Sequence, residues 1–153
     1  MEFVVNEWLP EYFKPDATSE QKLQLEKFLN KFMVRNDKIY VRKPSEFLRK
    51  ILRYANDYQN NPKVYGNINR FIKFIYLDSE RCELIHDGEF ELSEEIRNKL
   101  IEGGNTISDT YLFEAASVTA SKLILTTDAK LKALMENEIT YKVELLTTFL
   151  LNY

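Results

Sequence analysis

Short apolar runs alternate along the chain with longer segments in which apolar residues recur at helical spacing. The short runs predict strands at residues 3–5, 39–41, 82–85, 123–125 and 139–143. Strands that alternate with helices indicate a mostly parallel sheet covered by helices on both faces. We therefore expect a single three-layer α/β domain over residues 1–153, with a central sheet of four or five strands.

The predicted helices have recognisable first and last residues. Thr18, followed three residues later by Gln21, is typical of a capping box. Ser93 predicts the start of a helix that ends before Gly103 and Gly104. Further helices are predicted at residues 45–57, after Gly66, at residues 130–136 and at residues 145–151.

The segment at residues 108–130, SDTYLFEAASVTASKLILTTDAK, places two aspartates at the ends of consecutive elements. Asp109 opens a predicted helix, and Asp128 follows the strand that comes next. A helix of about eleven residues rises roughly 17 Å, and a strand of about five residues returns roughly the same distance. We therefore expect Asp109 and Asp128 at the same edge of the sheet.

Three further residues are predicted at this edge. Asn6 and Glu7 leave the first strand, and Glu46 follows the second. Ligands of open α/β sheets bind beyond the carboxyl ends of the strands. Clustered carboxylates raise one another's pKa unless a cation compensates them, and Mg²⁺ or Mn²⁺ prefers such oxygen ligands. The candidate metal ligands are Asn6, Glu7, Glu46, Asp109 and Asp128, of which Glu46, Asp109 and Asp128 are the candidate catalytic residues.

Each of these residues also has a purely structural interpretation. Asp109 and Asp128 could each stabilise the start of the helix that follows. Glu46 could form an exposed ion pair with a basic residue one helical turn later. Asn6 could be a turn residue after the strand, and Glu7 would face away from Asn6 if both continued the strand.

Five basic residues are concentrated around the end of the second strand and in the helix after it. Such a cluster neutralises phosphates and gives salt-dependent binding to nucleic acid, and Tyr54 and Tyr58 could stack on unpaired bases. The alternative is a solvated helix face with half-buried tyrosines. The candidate nucleic-acid-binding residues are Arg42, Lys43, Arg49, Lys50 and Arg53.

Composition excludes several classes of protein. Apolar residues make up 44% of the 153-residue chain, which argues against disorder, and the net charge of −3 provides no overall attraction to nucleic acid. A single cysteine, Cys82, excludes an internal disulfide and, with a single histidine, a zinc site. The sequence has no basic amino-terminal segment typical of a signal peptide and no apolar run of the ~20 residues that span a membrane. We therefore expect a cytoplasmic protein.

Residues 107–149 resemble the carboxyl-terminal half of the PIN domain, a family of metal-dependent ribonucleases. The resemblance rests on Asp109, on the pair Ala115-Ala116, on LTTDAKL at residues 125–131, and on the closing strand with TTFL at residues 147–150. Glu46 lies near the family's second acid. Asn6 departs from the pattern, since PIN domains carry an aspartate where the first strand ends.

The resemblance implies a ribonuclease that uses Mg²⁺ or Mn²⁺ and a metal-bound water to hydrolyse RNA. It also implies a toxin of the toxin–antitoxin type, with an antitoxin partner and a homodimer. Because Asn6 replaces a carboxylate, the alternative is a PIN-like fold that has lost activity and binds RNA or protein. A phospho-receiver domain would need two acids after the first strand and one after the third, and the chain supplies only half of this pattern.

Overall fold

A computed structural model describes residues 1–104 and 109–153 of the protein. Its five strands are β1 (Glu2–Val5), β2 (Lys38–Arg42), β3 (Cys82–Ile85), β4 (Leu123–Thr126) and β5 (Lys142–Leu145). They form one sheet in the order β3-β2-β1-β4-β5, and every neighbouring pair is parallel. This confirms the predicted α/β architecture with a parallel central sheet.

Eight α-helices lie in the described residues and flank the sheet. They are α1 (Trp8–Tyr12), α2 (Ser19–Val34), α3 (Glu46–Asp57), α4 (Pro62–Phe71), α5 (Glu94–Glu102), α6 (Thr110–Ser117), α7 (Ala129–Leu134) and α8 (Leu146–Asn152). A π-helical turn, Ile72–Tyr76, continues α4. None of the helices in these two ranges is both long and apolar enough to cross a membrane.

Several helix ends are set by the residues that the sequence indicated. Thr18 and Gln21 form the predicted capping box at the start of α2. The Ser93 hydroxyl accepts a hydrogen bond from the backbone of Ile96, and α5 ends immediately before Gly103. These side chains satisfy backbone N–H groups that the first turn of a helix leaves without partners.

Other boundaries differ from the prediction. Helix α4 begins at Pro62, before Gly66, because the Asn61 side chain caps it and proline is favoured in the first turn. The last strand begins at Lys142 and not at residue 139, since Ile139 is 98% exposed and belongs to the preceding loop. The short helix α1 was not predicted at all. Residues 107 and 108, where the predicted motif begins, lie outside the described residues.

The core forms on both faces of the sheet. On one face, the Phe3 ring of β1 packs at centroid distances of 5.8–6.2 Å against four aromatic rings of α2 and of the α8 region, Phe28, Phe32, Phe149 and Tyr153. On the other face, α6 crosses β2, β1 and β4. The connections from β1 to β3 and from β4 to β5 proceed in opposite directions along the sheet. Because such crossovers are right-handed, their helices lie on opposite faces, which gives three layers.

The strand order reverses between β1 and β4. Val5 is in register with Leu125, and the backbone N–H of Asn6 donates to the Leu125 carbonyl at 3.2 Å, so the two strands end side by side. Beyond β1 the chain extends the sheet to one side, and beyond β4 it extends it to the other. A crevice at such a reversal is the usual ligand site of an open parallel sheet.

Candidate functional site

Asn6 lies at the predicted edge but is used there to join the two central strands. Its side chain is buried, with 7% of the residue exposed. Nδ2 donates to Oγ1 of Thr126 at 2.7 Å, and Oδ1 accepts from the backbone N–H of Trp8 at 3.2 Å. Both ends of the amide are therefore engaged within the protein, and we leave Asn6 out of the proposed ligand set.

Glu7 faces the site from the adjacent position. Strand β1 ends at Val5, and Glu7 has a helical backbone with φ −65° and ψ −5°, so the alternation of a strand no longer applies to it. Its Oε1 accepts a hydrogen bond of 2.8 Å from the hydroxyl of Tyr111 in α6. Glu7 thus places a carboxylate at the edge where the sequence has no aspartate.

Asp109 is partly buried at the start of α6 and makes no side-chain capping bond. Burial, followed by the negative charges of Glu7 and Asp128, raises the pKa of Asp109 from 3.8 to about 6. Glu7 and Asp128 are thus near enough to Asp109 for their charges to influence its pKa. These three residues are called the acidic triad below.

Asp128 has a structural role as well. Its Oδ1 accepts from the backbone N–H groups of Lys130 at 2.8 Å and Leu131 at 3.2 Å, so Asp128 caps α7. The backbone N–H of Asp128 in turn donates to Oγ1 of Thr126 at 3.0 Å. Within the described residues, both capping bonds use the same carboxylate oxygen, which leaves Oδ2 for another partner.

Glu46 is at the same edge, but its negative charge is compensated by Arg49 of the same helix. Its Oε2 accepts from Nε of Arg49 at 2.7 Å, and its Oε1 accepts a second bond from the same guanidinium. The Arg49 hydrogen bonds lower the pKa of Glu46. The Glu46 charge still contributes to the raised pKa of Tyr111, whose main causes are burial and Glu7. The ion pair expected from the spacing is present, and Glu46 is a weaker ligand candidate than the acidic triad.

The acidic triad suits a divalent cation by its charge. In the ranges 1–104 and 109–153, no three His, Cys, Asp or Glu side chains are grouped closely enough to hold a metal ion. Burial and, after it, the negative charges of Glu7 and Asp128 raise the pKa of Asp109, and carboxylate oxygens are the donors that Mg²⁺ and Mn²⁺ prefer. The donor types suit such an ion, but the three side chains as they stand do not converge on one point.

Arg42 is a structural residue. It is 6% exposed, and its guanidinium binds Glu114 Oε2 at 2.9 Å, the Ile85 carbonyl at 3.1 Å, the Lys43 carbonyl and Asp87. These bonds connect β2 to α6 and to the loop after β3, and they occupy the donors of the guanidinium. We therefore leave Arg42 out of the proposed nucleic-acid surface.

The other four predicted basic residues surround the first turns of α3. Lys43 and Arg49 are exposed, and the Arg49 guanidinium is paired with Glu46 as described. Nζ of Lys50 lies 2.9 Å from Oε1 of Glu11, and Arg53 lies with its guanidinium carbon 5.0 Å from the centre of the Tyr54 ring. We call Lys43, Arg49, Lys50 and Arg53 the basic surface.

Glu11 organises one side of the basic surface and was not among the predicted site residues. Burial alone would raise its pKa, but hydrogen bonds from Tyr54, Lys50 and Lys14 lower the pKa of Glu11 to about 2. Tyr54 donates to Glu11 at 2.6 Å and is 4% exposed, so its ring is not free to stack on a base. Glu11 lies in the unpredicted helix α1, so its spacing to Lys50 and Tyr54 gave no indication of the contact.

Comparison of the chain with models of protein families, with curated proteins and with solved structures gave no significant match. The functional proposal therefore depends on the acidic triad, on its position in the sheet and on the basic surface beside it.

Proposed function

We propose that this protein is a divalent-metal-dependent ribonuclease with a PIN-like site. The observation that carries the proposal is the position of Glu7, Asp109 and Asp128 near the reversal point of the sheet, where burial, together with the negative charges of Glu7 and Asp128, raises the pKa of Asp109 to about 6. Repulsion between such charges favours the binding of a doubly charged cation.

The residues of the site have distinct roles in this proposal. Glu7, Asp109 and Asp128 would hold Mg²⁺ or Mn²⁺, and Glu46 would join them if its pair with Arg49 opened. When bound, such an ion lowers the pKa of a water molecule and stabilises the leaving oxygen of a phosphodiester. Tyr111 orients Glu7 through the 2.8 Å hydrogen bond. Above about pH 6 Asp109 is deprotonated and able to act as a ligand.

RNA is the proposed substrate because the basic surface adjoins the acidic edge. Lys43 follows β2 directly, and Arg49, Lys50 and Arg53 lie in α3, which begins with Glu46. Cations at these positions would hold phosphates next to the acids and give salt-dependent binding. If the protein is of the toxin type, as the resemblance implies, its partners are an antitoxin and a second copy of the chain.

Metal-dependent thermal stability tests the site. We expect Mn²⁺ at about one hundred times its Kd to stabilise the wild type by about 2.7 kcal/mol, and Asp109→Asn or Asp128→Asn to abolish most of this effect. Asparagine retains the capping oxygen of Asp128, so that variant separates metal binding from capping. Asp57→Asn, at an exposed position on α3, is the matched control. Equal stabilisation of all four proteins would refute the metal site.

Cleavage of a mixed single-stranded RNA pool tests the reaction. We expect cleavage by the wild type with Mn²⁺ and none after chelation with EDTA. Asp128→Asn, purified identically, reveals contaminating nucleases. Metal binding without cleavage above the Asp128→Asn background would refute the ribonuclease while leaving the metal site in place.

A second candidate function is a binding module that has lost catalysis. The observation that favours it is Asn6, which occupies the end of β1 with a neutral amide, hydrogen-bonded at both its nitrogen and its oxygen, and so reduces the number of carboxylates at the edge. This candidate predicts RNA binding that is unchanged by Mn²⁺ and by Asp109→Asn. Electrophoretic mobility shifts with and without the metal distinguish it from the first candidate.

A further inference from the structure

A cleft of about 640 Å³ lies between α2 and α4, away from the acidic triad. None of the predicted site acids lines it. Its floor is apolar and is formed by Leu25, Leu29, Met33, Phe71, Phe74 and Ile75. The volume falls in the range of about 300–1,000 Å³ that is usual for small-ligand sites.

The rim of this cleft is cationic. Lys14, Lys22, Lys63 and Arg70 line it, whereas Glu26 is its only carboxylate among the described lining residues. Lys14 is paired with carboxylates, but in the described part of the chain the other three cations make no ion pair. The positive rim contrasts with the chain as a whole, whose net charge is −3.

The cleft also contains a half-exposed aromatic ring, Phe74, with the Lys73 ammonium 5.3 Å from the ring centre. Phe74 is 50% exposed at the cleft, whereas Phe71, three residues earlier, is buried. The π-helical turn at Ile72–Tyr76 causes this difference, because a wider turn rotates Phe74 away from the buried face. Met33 is similarly 42% exposed across the cleft.

We propose that this cleft binds an amphipathic anion, an unbranched aliphatic chain that ends in a carboxylate or a phosphate. The chain would lie along the floor of α2, where Leu25 and Met33 are about 12 Å apart along the helix axis. The head group would meet the unpaired cations of the rim. Nucleic acid fits this surface less well, since only Phe74 of the four aromatic residues that line the cleft is well exposed, so the cleft offers few faces for base stacking.

Calorimetric titration with three probes of one chain length tests the ligand chemistry. The probes are dodecanoate, dodecyl phosphate and dodecanol, each kept below its aggregation concentration. We expect saturable one-to-one binding of at least one anion and binding of the alcohol that is weaker by about tenfold, because the alcohol cannot form the charge-assisted contacts. Binding of neither anion, or equal binding of dodecanol, would overturn the proposal.

Two pairs of variants locate the binding site. Phe74→Gln should weaken anion binding by about tenfold, whereas Leu52→Gln, at a similarly exposed apolar position on α3, should not. Lys63→Gln should weaken it by about threefold, whereas Lys27→Gln on the outer face of α2 should not. All four positions are exposed, so the variants are expected to fold. Wild-type affinity in both cleft variants would place the anion elsewhere and refute the site.

Discussion

The hydroxyl of Tyr111 donates a hydrogen bond of 2.8 Å to Oε1 of Glu7, a residue 104 positions earlier in the chain. The bond connects the first turn of α6 to the residue pair that leaves β1. It fixes the direction of the one carboxylate available at this corner, since the neighbouring Asn6 is bonded to Thr126. The geometry of the acidic triad therefore depends on a tyrosine that is not itself a carboxylate ligand.

Tyr111→Phe should weaken metal binding without disrupting the fold. The ring would keep its packing, but Glu7 would lose its orientation, and we expect the Mn²⁺ affinity to fall by about tenfold. The loss of the hydrogen bond should lower the free energy of unfolding by about 1 kcal/mol. Calorimetric titration with Mn²⁺ and urea denaturation measure the two effects.

Tyr40→Phe is the matched control for this variant. The Tyr40 hydroxyl also donates to a glutamate, Glu2, at 3.0 Å, but at the opposite end of the strands. We expect a similar small loss of stability and an unchanged Mn²⁺ affinity. If Tyr111→Phe bound Mn²⁺ as tightly as Tyr40→Phe, Glu7 would not be held as a ligand by Tyr111.

Asp109→Asn should stabilise the metal-free protein at neutral pH. The folded state raises the pKa of Asp109 from 3.8 to about 6, so it binds the proton more tightly than the unfolded state does. The ionised Asp109 carboxylate therefore lowers the free energy of unfolding above about pH 6, and this effect disappears as the pH falls below about 4. Allowing for partial exposure, we expect asparagine to gain about 1–2 kcal/mol at pH 7.5.

Urea denaturation of wild type and Asp109→Asn between pH 3.5 and pH 7.5, in EDTA, measures this difference at roughly half-unit steps. The difference should shrink steadily toward the acidic end. A difference that is independent of pH would show that Asp109 does not carry an elevated pKa. Asp57→Asn should show no such trend, because Asp57 is exposed on α3.

The strands and the position of the acidic edge could be predicted from the sequence because they depend on local patterns. Apolar runs of three to five residues marked the strands, and the parallel order then places Asp109 and Asp128 at the same edge of the sheet. The direction of Glu7 could not be predicted in this way. It depends on β1 ending at Val5 and on a partner in α6, neither of which appears in the local pattern.

The roles of polar and charged residues were hardest to predict where the side chain is buried against a partner that is distant in the sequence. In the sequence, Arg42 belongs to a basic cluster. In the structure, the Arg42 guanidinium is buried and binds the carboxylate of Glu114, which is 72 residues away in the chain. Tyr54 likewise meets Glu11 from a helix that the sequence did not reveal. Long-range pairing of this kind leaves no periodicity in the chain, whereas exposed cations such as Lys43 can be recognised from composition alone.

Arg42→Met should destabilise the protein by about 3 kcal/mol, because it leaves the largely buried Glu114 carboxylate without its closest cation. Lys43→Met, at the exposed neighbouring position, should change stability by less than about 0.5 kcal/mol. Adding Glu114→Leu to Arg42→Met should recover about half of the loss, since no buried carboxylate is then left unpaired and Asp87, the other partner of Arg42, is exposed. Equal effects of the two single variants in urea denaturation would contradict the structural role of Arg42.

Asn6→Asp should raise metal affinity at the expense of metal-free stability. Aspartate has nearly the same shape, and the Thr126 hydroxyl can donate to it where it now accepts from Asn6. A fourth carboxylate beside Glu7, Asp109 and Asp128 should cost about 1–3 kcal/mol without metal.

Thermal unfolding with and without Mn²⁺ measures both the stability of the metal-free protein and the stabilisation by the metal. We expect the stabilisation by Mn²⁺ to be larger in Asn6→Asp than in the wild type, and RNA cleavage, if present, to increase. Asn60→Asp, at an exposed position between α3 and α4, should alter neither quantity. An unchanged Mn²⁺ response in Asn6→Asp would mean that the end of β1 does not face the metal.

The double variant Lys43→Gln, Arg53→Gln should weaken binding to single-stranded RNA and make it less sensitive to salt. Each phosphate contact on a single strand contributes about 0.7 to the slope of log affinity against log salt concentration, so the loss of two contacts should reduce the slope by about 1.4. Fluorescence anisotropy over a range of salt concentrations measures this slope. Lys27→Gln, Lys73→Gln removes the same charge from exposed positions on α2 and the π-helical turn, so an equal effect would show that net charge, and not the basic surface, governs binding.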